Sequence, residues 1–146
     1  MKKLVECVPN ISEGNDLSAI NKIVETVEKY PGIKLLNVDP GKATNRTVIT
    51  FVGDADIIVD AAFKLISKAK ELIDMRKHFG EHPRMGAVDV CPLIPISGIS
   101  MEETINLAHK LSHRVGKELS IPVYCYENAA KENKRKNLAN CRAGEY

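Results

Sequence analysis

The sequence has no apolar run approaching the ~18 residues that a membrane-spanning helix needs. It also has little net charge: 21 Lys and Arg stand against 19 Asp and Glu, leaving +2. The first absence excludes a transmembrane helix. The second excludes the large basic excess that marks a dedicated nucleic-acid binder. There is no CxxC and no close Cys/His cluster. The four cysteines, Cys7, Cys91, Cys125 and Cys141, are separated by 84, 34 and 16 residues. Such spacings argue against a disulfide framework and against structural zinc. The first three each fall in an apolar, strand-like run, where a free Cys behaves as a small buried hydrophobe, so they are read as structural residues in a reducing cytoplasm. No signal-peptide apolar stretch follows the basic start, because Glu6 and Asn10 interrupt it, and a cytoplasmic location is expected. No internal repeat or low-complexity segment is visible, and Asn10–Gly14 lacks the glycine pattern of a phosphate loop.

What is present suits one domain spanning 1–146: 146 residues, 16.1 kDa and 44 % hydrophobic residues are ordinary for a single core and too apolar for a disordered chain. The charge is unevenly placed. Residues 129–146 carry five basic side chains (Lys131, Lys134, Arg135, Lys136, Arg142) and two acidic ones, so the tail is basic and the remainder slightly acidic.

Hydrophobic periodicity orders the elements. Leu4–Val8 predicts a strand ending at Pro9-Asn10, followed by a loop over Ile11–Gly14. Asn15 or Asp16 caps a helix with Leu17, Ile20, Val24 and Val27 inward, stopped by Tyr30-Pro31-Gly32. Ile33–Val38 and Thr47–Val52 predict strands joined by a long polar turn, Asp39–Arg46. Asp54 opens a helix with Ile58, Ala61, Ala62, Leu65, Ala69, Leu72 and Ile73 on one face, ending near Asp74. Ala87–Ile96 predicts a strand with an irregular exit at Pro92 and Pro95. Ser100-Met101-Glu102-Glu103 fits a capping box, opening a helix with Ile105, Ala108, Leu111, Val115 and Leu119 inward. Pro122–Tyr126 predicts a last strand. The order, βαββαβ followed by αβ, implies an α+β fold: a ferredoxin-like sheet with helices packed on one face, plus an extra αβ extension.

Three segments could carry chemistry. His78–Gly86 connects a helix to a strand and packs two His, one Glu and one Arg between glycines. Imidazole accepts and donates protons near neutral pH, and Pro83 stiffens the backbone beside His82; the competing reading is a solvated loop. The Asp39–Arg46 turn offers a carboxylate, the cations Lys42 and Arg46, the Thr44 hydroxyl and the Asn45 amide, a set suited to an anionic small molecule because Arg binds carboxylates bidentately; the competing reading is a hydrated hairpin tip. Asn10–Gly14 is the third. His78/His82 and His109/His113 share i,i+4 spacing, but Gly80 and Pro83 disfavour a helix under the first pair, and the second pair lies off the apolar stripe of its helix. No metal is expected.

Glu6-Cys7-Val8-Pro9-Asn10-Ile11-Ser12-Glu13-Gly14, Val38-Asp39-Pro40-Gly41 with Thr44-Asn45-Arg46-Thr47, Phe51-Val52-Gly53, Gly80–Gly86 with Asp89-Val90-Cys91-Pro92, and Arg142–Tyr146 together resemble the N-terminal subdomain of glutamate formiminotransferase. The resemblance runs over essentially the whole chain in consistent order. It implies transfer of a formimino group from N-formimino-L-glutamate to N5 of tetrahydrofolate, a co-substrate, in histidine breakdown. It also implies two ferredoxin-like subdomains with folate between them, and His82 as the catalytic acid/base. Asn10, Asp39, Lys42, Arg46, Glu81 and Arg84 form the expected substrate-binding set, with Asp39, then Glu81 and Asp89, considered for the cationic amidine. The family's first subdomain continues beyond Arg142–Tyr146, so a second subdomain, a partner subunit or a homo-oligomer is expected to complete the site. A non-catalytic folate-binding or assembly subunit that kept these motifs is the alternative.

Overall fold

The chain is described from a computed structural model covering residues 2–73 and 87–119. Nine elements follow in order: β1 (Leu4–Cys7), β2 (Asn10–Ile11), α1 (Leu17–Glu28), β3 (Lys34–Gly41), β4 (Arg46–Asp54), α2 (Ala55–Leu72), β5 (Val88–Val90), β6 (Leu93–Ser97) and α3 (Met101–Glu118). The fold is α+β, with a curled antiparallel sheet and three helices. The expected strand at Pro122–Tyr126 and the basic tail lie outside the described residues.

Prolines organise the sheet. β4 pairs antiparallel with β3 on one side and with both β1 and β2 on the other. β1 and β2 are one strand path interrupted at Val8-Pro9, and β5 and β6, which pair with β2 and β1, are another interrupted at Cys91-Pro92. A proline has no N–H to give a ladder. The breaks are bridged by the prolines' carbonyls instead: Val8 N–H donates to Pro92 O at 3.2 Å, and Ile49 N–H donates to Pro9 O at 3.0 Å. Two expectations change here. Ile11, expected to open the loop, continues with Asn10 as strand, because β4 and β5 offer the pair partners on both sides. Ala87–Ile96 is two short strands rather than one.

The turn between β3 and β4 is also shorter than expected. Asp39, Pro40 and Gly41 continue β3, in register with Val48, Thr47 and Arg46, so only Lys42–Asn45 turn. The register shifts between Leu35 and Asn37, which leaves Leu36 exposed.

β4 alternates strictly: Thr47, Ile49, Phe51 and Gly53 are buried and their neighbours half-buried. The buried set, with Val5 and Cys7 of β1, meets the helices. From α1 come Ile20, Ile23, Val24 and Val27; from α2 Ile58, Ala61, Ala62, Leu65, Ile66 and Ala69; from α3 Leu111 and Val115. Leu17 departs from expectation, standing exposed one residue after the cap, and Ile23 joins the buried face beside Val24. In α3 the buried stripe starts at Thr104, with Leu107 against the core, rather than at Ile105 and Ala108. Thr104 satisfies its hydroxyl by donating to Ser100 O at 2.9 Å.

The helix starts agree with the capping signals. Asp16 accepts from Ala19 N–H, Asp54 accepts from Asp56 N–H, and Ser100 and Glu103 form the reciprocal capping box. No described helix is long and apolar enough to cross a membrane.

Candidate functional site

The sheet face turned away from the helices gathers the polar candidates. Asn10 is in register with Val90 on one side and Val48 on the other, and Val48 is in register with Asp39. Cross-strand partners share a face, so Asn10, Val48 and Asp39 form a row across three strands. Arg46 lies two residues from Val48 and therefore on that face. Its guanidinium reaches back to Asn10: Nε donates to Asn10 Oδ1 at 3.1 Å and Nη2 donates to the same oxygen at 2.7 Å. Asn10 is buried, and its amide donates to Val8 O at 3.3 Å. Asn10 thus holds Arg46 in place.

Asn45 and Asn15 bind the loop after β2 to the β3–β4 turn. Asn45 adopts φ +50°, a left-handed conformation that Asn tolerates better than most residues. Its Oδ1 accepts from Gly14 N–H at 2.8 Å and from Asn15 Nδ2 at 3.0 Å. Thr47 Oγ1 donates to Glu13 O at 2.5 Å. Gly14 packs so closely that a Cβ there would stand 2.1 Å from Gly41 O and 2.6 Å from Arg46 N. The loop therefore needs glycine for proximity, because no side chain fits between the two backbones.

Asp39 and Lys42 are exposed, the first at the rim of the face and the second in the turn. His82, Glu81 and Arg84 lie outside the described residues. The described chain resumes at Ala87, whose carbonyl accepts from Ser12 N–H at 2.8 Å, two residues from Asn10. Three segments thus converge: Asn10–Asn15, Gly41–Arg46 and Ala87–Val90. Asp89 is half-buried in β5. Among the described residues, no group of three His, Cys, Asp or Glu could hold a metal; His109 is half-buried and His113 exposed on α3.

Sequence reasoning placed Asn45 among the turn's polar groups without its anchoring role. The Thr44-Asn45 pair before a β-branched strand was the available signal. It also missed that Cys7 and Cys91 are neighbours, for which an 84-residue separation offers no signal.

The convergence falls on the segments that carried the resemblance, and comparison with known proteins decides the matter. The family model described as formiminotransferase domain, N-terminal subdomain, matches residues 4–146. The chain belongs to this family. It is 51 % identical over 146 residues to the formimidoyltransferase-cyclodeaminase of Rattus norvegicus, covering all of this chain and 27 % of that protein. It is 45 % identical over 146 residues to the glutamate formimidoyltransferase of Streptococcus pyogenes serotype M1, covering all of this chain and 49 % of that protein. Against the glutamate formimidoyltransferase of Thermoplasma acidophilum it is 49 % identical over 139 residues, 95 % of this chain and 46 % of the other. This family member therefore spans between about a quarter and a half of the length of these relatives.

Proposed function

We propose that the chain supplies the N-terminal half of a glutamate formimidoyltransferase site, acting as one domain over 1–146 in the cytoplasm. In this reading a formimino group passes from N-formimino-L-glutamate to N5 of tetrahydrofolate. The observation that carries it is the Asn10–Arg46 pair on the sheet face, bordered by the point where the His82-bearing segment rejoins the described chain, in a sequence 45 % identical to a protein named for that activity. The strand pairings, with β4 between β1/β2 and β3 and with β5/β6 outside β1/β2, support a ferredoxin-like arrangement.

The chemistry needs few groups. N5 attacks the amidine carbon and forms a C–N bond, while His82 takes the N5 proton. The tetrahedral adduct collapses, the bond from carbon to the glutamate nitrogen breaks, and His82 returns the proton to that nitrogen. One imidazole serves as base and then as acid. A carboxylate beside the protonated amidine lowers the energy of the charged species; this reading gives that role to Asp39, and gives Glu81 the orienting of the imidazole. Arg46, Lys42 and Arg84 bind substrate carboxylates. Arg46, already oriented by Asn10, meets one with less ordering to lose. The other wall of the folate cleft comes from a second subdomain, a partner subunit or a second copy.

The test is formimino transfer by the chain alone and by the chain combined with a fragment equivalent to the remaining half of a glutamate formimidoyltransferase. Turnover in the combined sample is expected, and His82→Ala should lower kcat by about 10²–10⁴-fold with folate still bound, the usual contribution of a general acid/base. Near-wild-type turnover by His82→Ala rejects the mechanism. Tetrahydrofolate binding without turnover in either sample favours a non-catalytic binding subunit.

A further inference from the structure

Cys7 ends β1, and Cys91 sits in the two-residue gap between β5 and β6. Their Sγ atoms are 3.5 Å apart. Cys7 is buried and Cys91 half-buried. The two backbones are joined just beyond the thiols, where Val8 N–H donates to Pro92 O and Cys7 is in register with Leu93. Neither thiol has a part in the transfer chemistry above, and an inert core needs only one small apolar side chain at each position. Two sulfurs held in contact across a paired seam have only a short distance to close to the ~2.05 Å of a disulfide bond. Burial and the neighbouring Cys91 thiol push the Cys7 thiol well above its usual range, so Cys7 is a poor first nucleophile. Cys91 is the less buried residue of the two, and access favours it as the first to react.

We propose that Cys7 and Cys91 are a redox-active pair that closes reversibly into an intrachain disulfide, locking β1 to the β5–β6 junction. A peroxide-class oxidant suffices. The Cys91 thiolate attacks the O–O bond, which breaks to leave a Cys91 sulfenic acid and hydroxide. The Cys7 sulfur then attacks the sulfenic sulfur, the S–S bond forms, and the hydroxyl leaves with the Cys7 proton as water. Two thiols are oxidised and one peroxide is reduced to two waters. An external dithiol reverses the bond by exchange. The cross-link falls at the proline breaks, next to Val90, which is in register with Asn10, and it is independent of the reaction assigned to the site.

The experiment treats the folded chain, in a Cys125→Ser, Cys141→Ser background, with stoichiometric hydrogen peroxide. Thiols are counted after unfolding, and digests are mapped by mass spectrometry. The expected product has lost both thiols, is lighter by two hydrogen atoms, yields a linked Cys7–Cys91 peptide, and recovers fully in dithiothreitol. Amide exchange at Val8 and across Val88–Ser97 should slow in the oxidised form. Because Cys7 is buried and its replacement can unfold the chain, the control is Cys91→Ser, which should retain a titratable Cys7 after the same treatment. The proposal is overturned if Cys91 passes to the sulfinic acid with Cys7 still a thiol, if only links between chains form, or if both thiols survive.

Discussion

At the scale of single residues, Asn10 carries the strongest consequence. Its Oδ1 accepts both bonds from Arg46 while its own side chain is buried. A hydrogen bond to a charged group contributes about 1.5–3 kcal/mol, and losing one partner leaves the other desolvated. Asn10→Ala should therefore lower the unfolding free energy by about 1.5–3 kcal/mol in urea titrations with an unchanged m-value. Asn10→Asp, which keeps an acceptor at the same place, should recover most of that loss. If Asn10→Ala stays within about 0.5 kcal/mol of wild type, as an ordinary surface substitution does, the Asn10–Arg46 contact does not organise the site. Both residues could be named from the sequence, since each is polar and close to a turn. Their contact could not, because it depends on β2 pairing with β4 beyond a proline, and local patterning at Pro9-Asn10 indicates only that a strand stops.

At the scale of elements, the three helices are tied by one carboxylate. Tyr30, just past α1, donates its hydroxyl to Asp60 Oδ2 at 2.6 Å, and Arg114 of α3 donates from Nη1 to Asp60 Oδ1 at 2.6 Å. Arg114 also lies over the Phe63 ring, 3.8 Å from its centre, and pairs with Glu118. The hydrogen bonds from Tyr30 and Arg114 hold the Asp60 carboxyl below the usual carboxylate range. A group whose pKa falls on folding adds stability above its unfolded value, about 3.9 for Asp. That stability is lost as pH drops from there through the folded value. Wild type should thus exceed Asp60→Asn at neutral pH by about 1 kcal/mol, a modest figure because the pair is a third exposed and screened. The gap should narrow in urea titrations repeated below about pH 3.9, the unfolded value. A gap of equal size at both pH values would show that packing, not the ionised carboxylate, joins the helices. The helices themselves were legible, down to the Ser100–Glu103 capping box and the Asp54 cap. The phase of their inner faces was less so. Leu17 and Ile105 satisfy the helical spacing, yet Leu17 is exposed, Ile23 is buried beside Val24, and Thr104 is buried next to Ile105. Periodicity defines a stripe to within a residue, and the neighbouring helix decides which side of the stripe is covered.

For the whole molecule, the sheet's middle strand is where local and long-range order meet. Phe51 is fully buried, and it is in register with Cys7 of β1 and Leu35 of β3, so three strands and the helical layer close around it. Thr47–Val52 was recognisable as a strand from its β-branched alternation, but its central place follows from pairing on both sides, which no local pattern reports. Truncating a buried Phe to Ala costs about 3–5 kcal/mol, against the 5–15 kcal/mol that holds a typical domain together. Phe51→Ala should then lose its cooperative urea transition or shift it to far lower denaturant, with β1, β3 and the helices melting together by circular dichroism and amide exchange. Leu17→Ala removes a side chain of similar hydrophobic character that is 61 % exposed, and it should stay within about 0.5 kcal/mol of wild type. If instead Phe51→Ala melts one part of the molecule while α3 keeps its protection, β4 is not the common support of the sheet and helices. The Asn10–Arg46 face would then rest on a smaller unit than the one described.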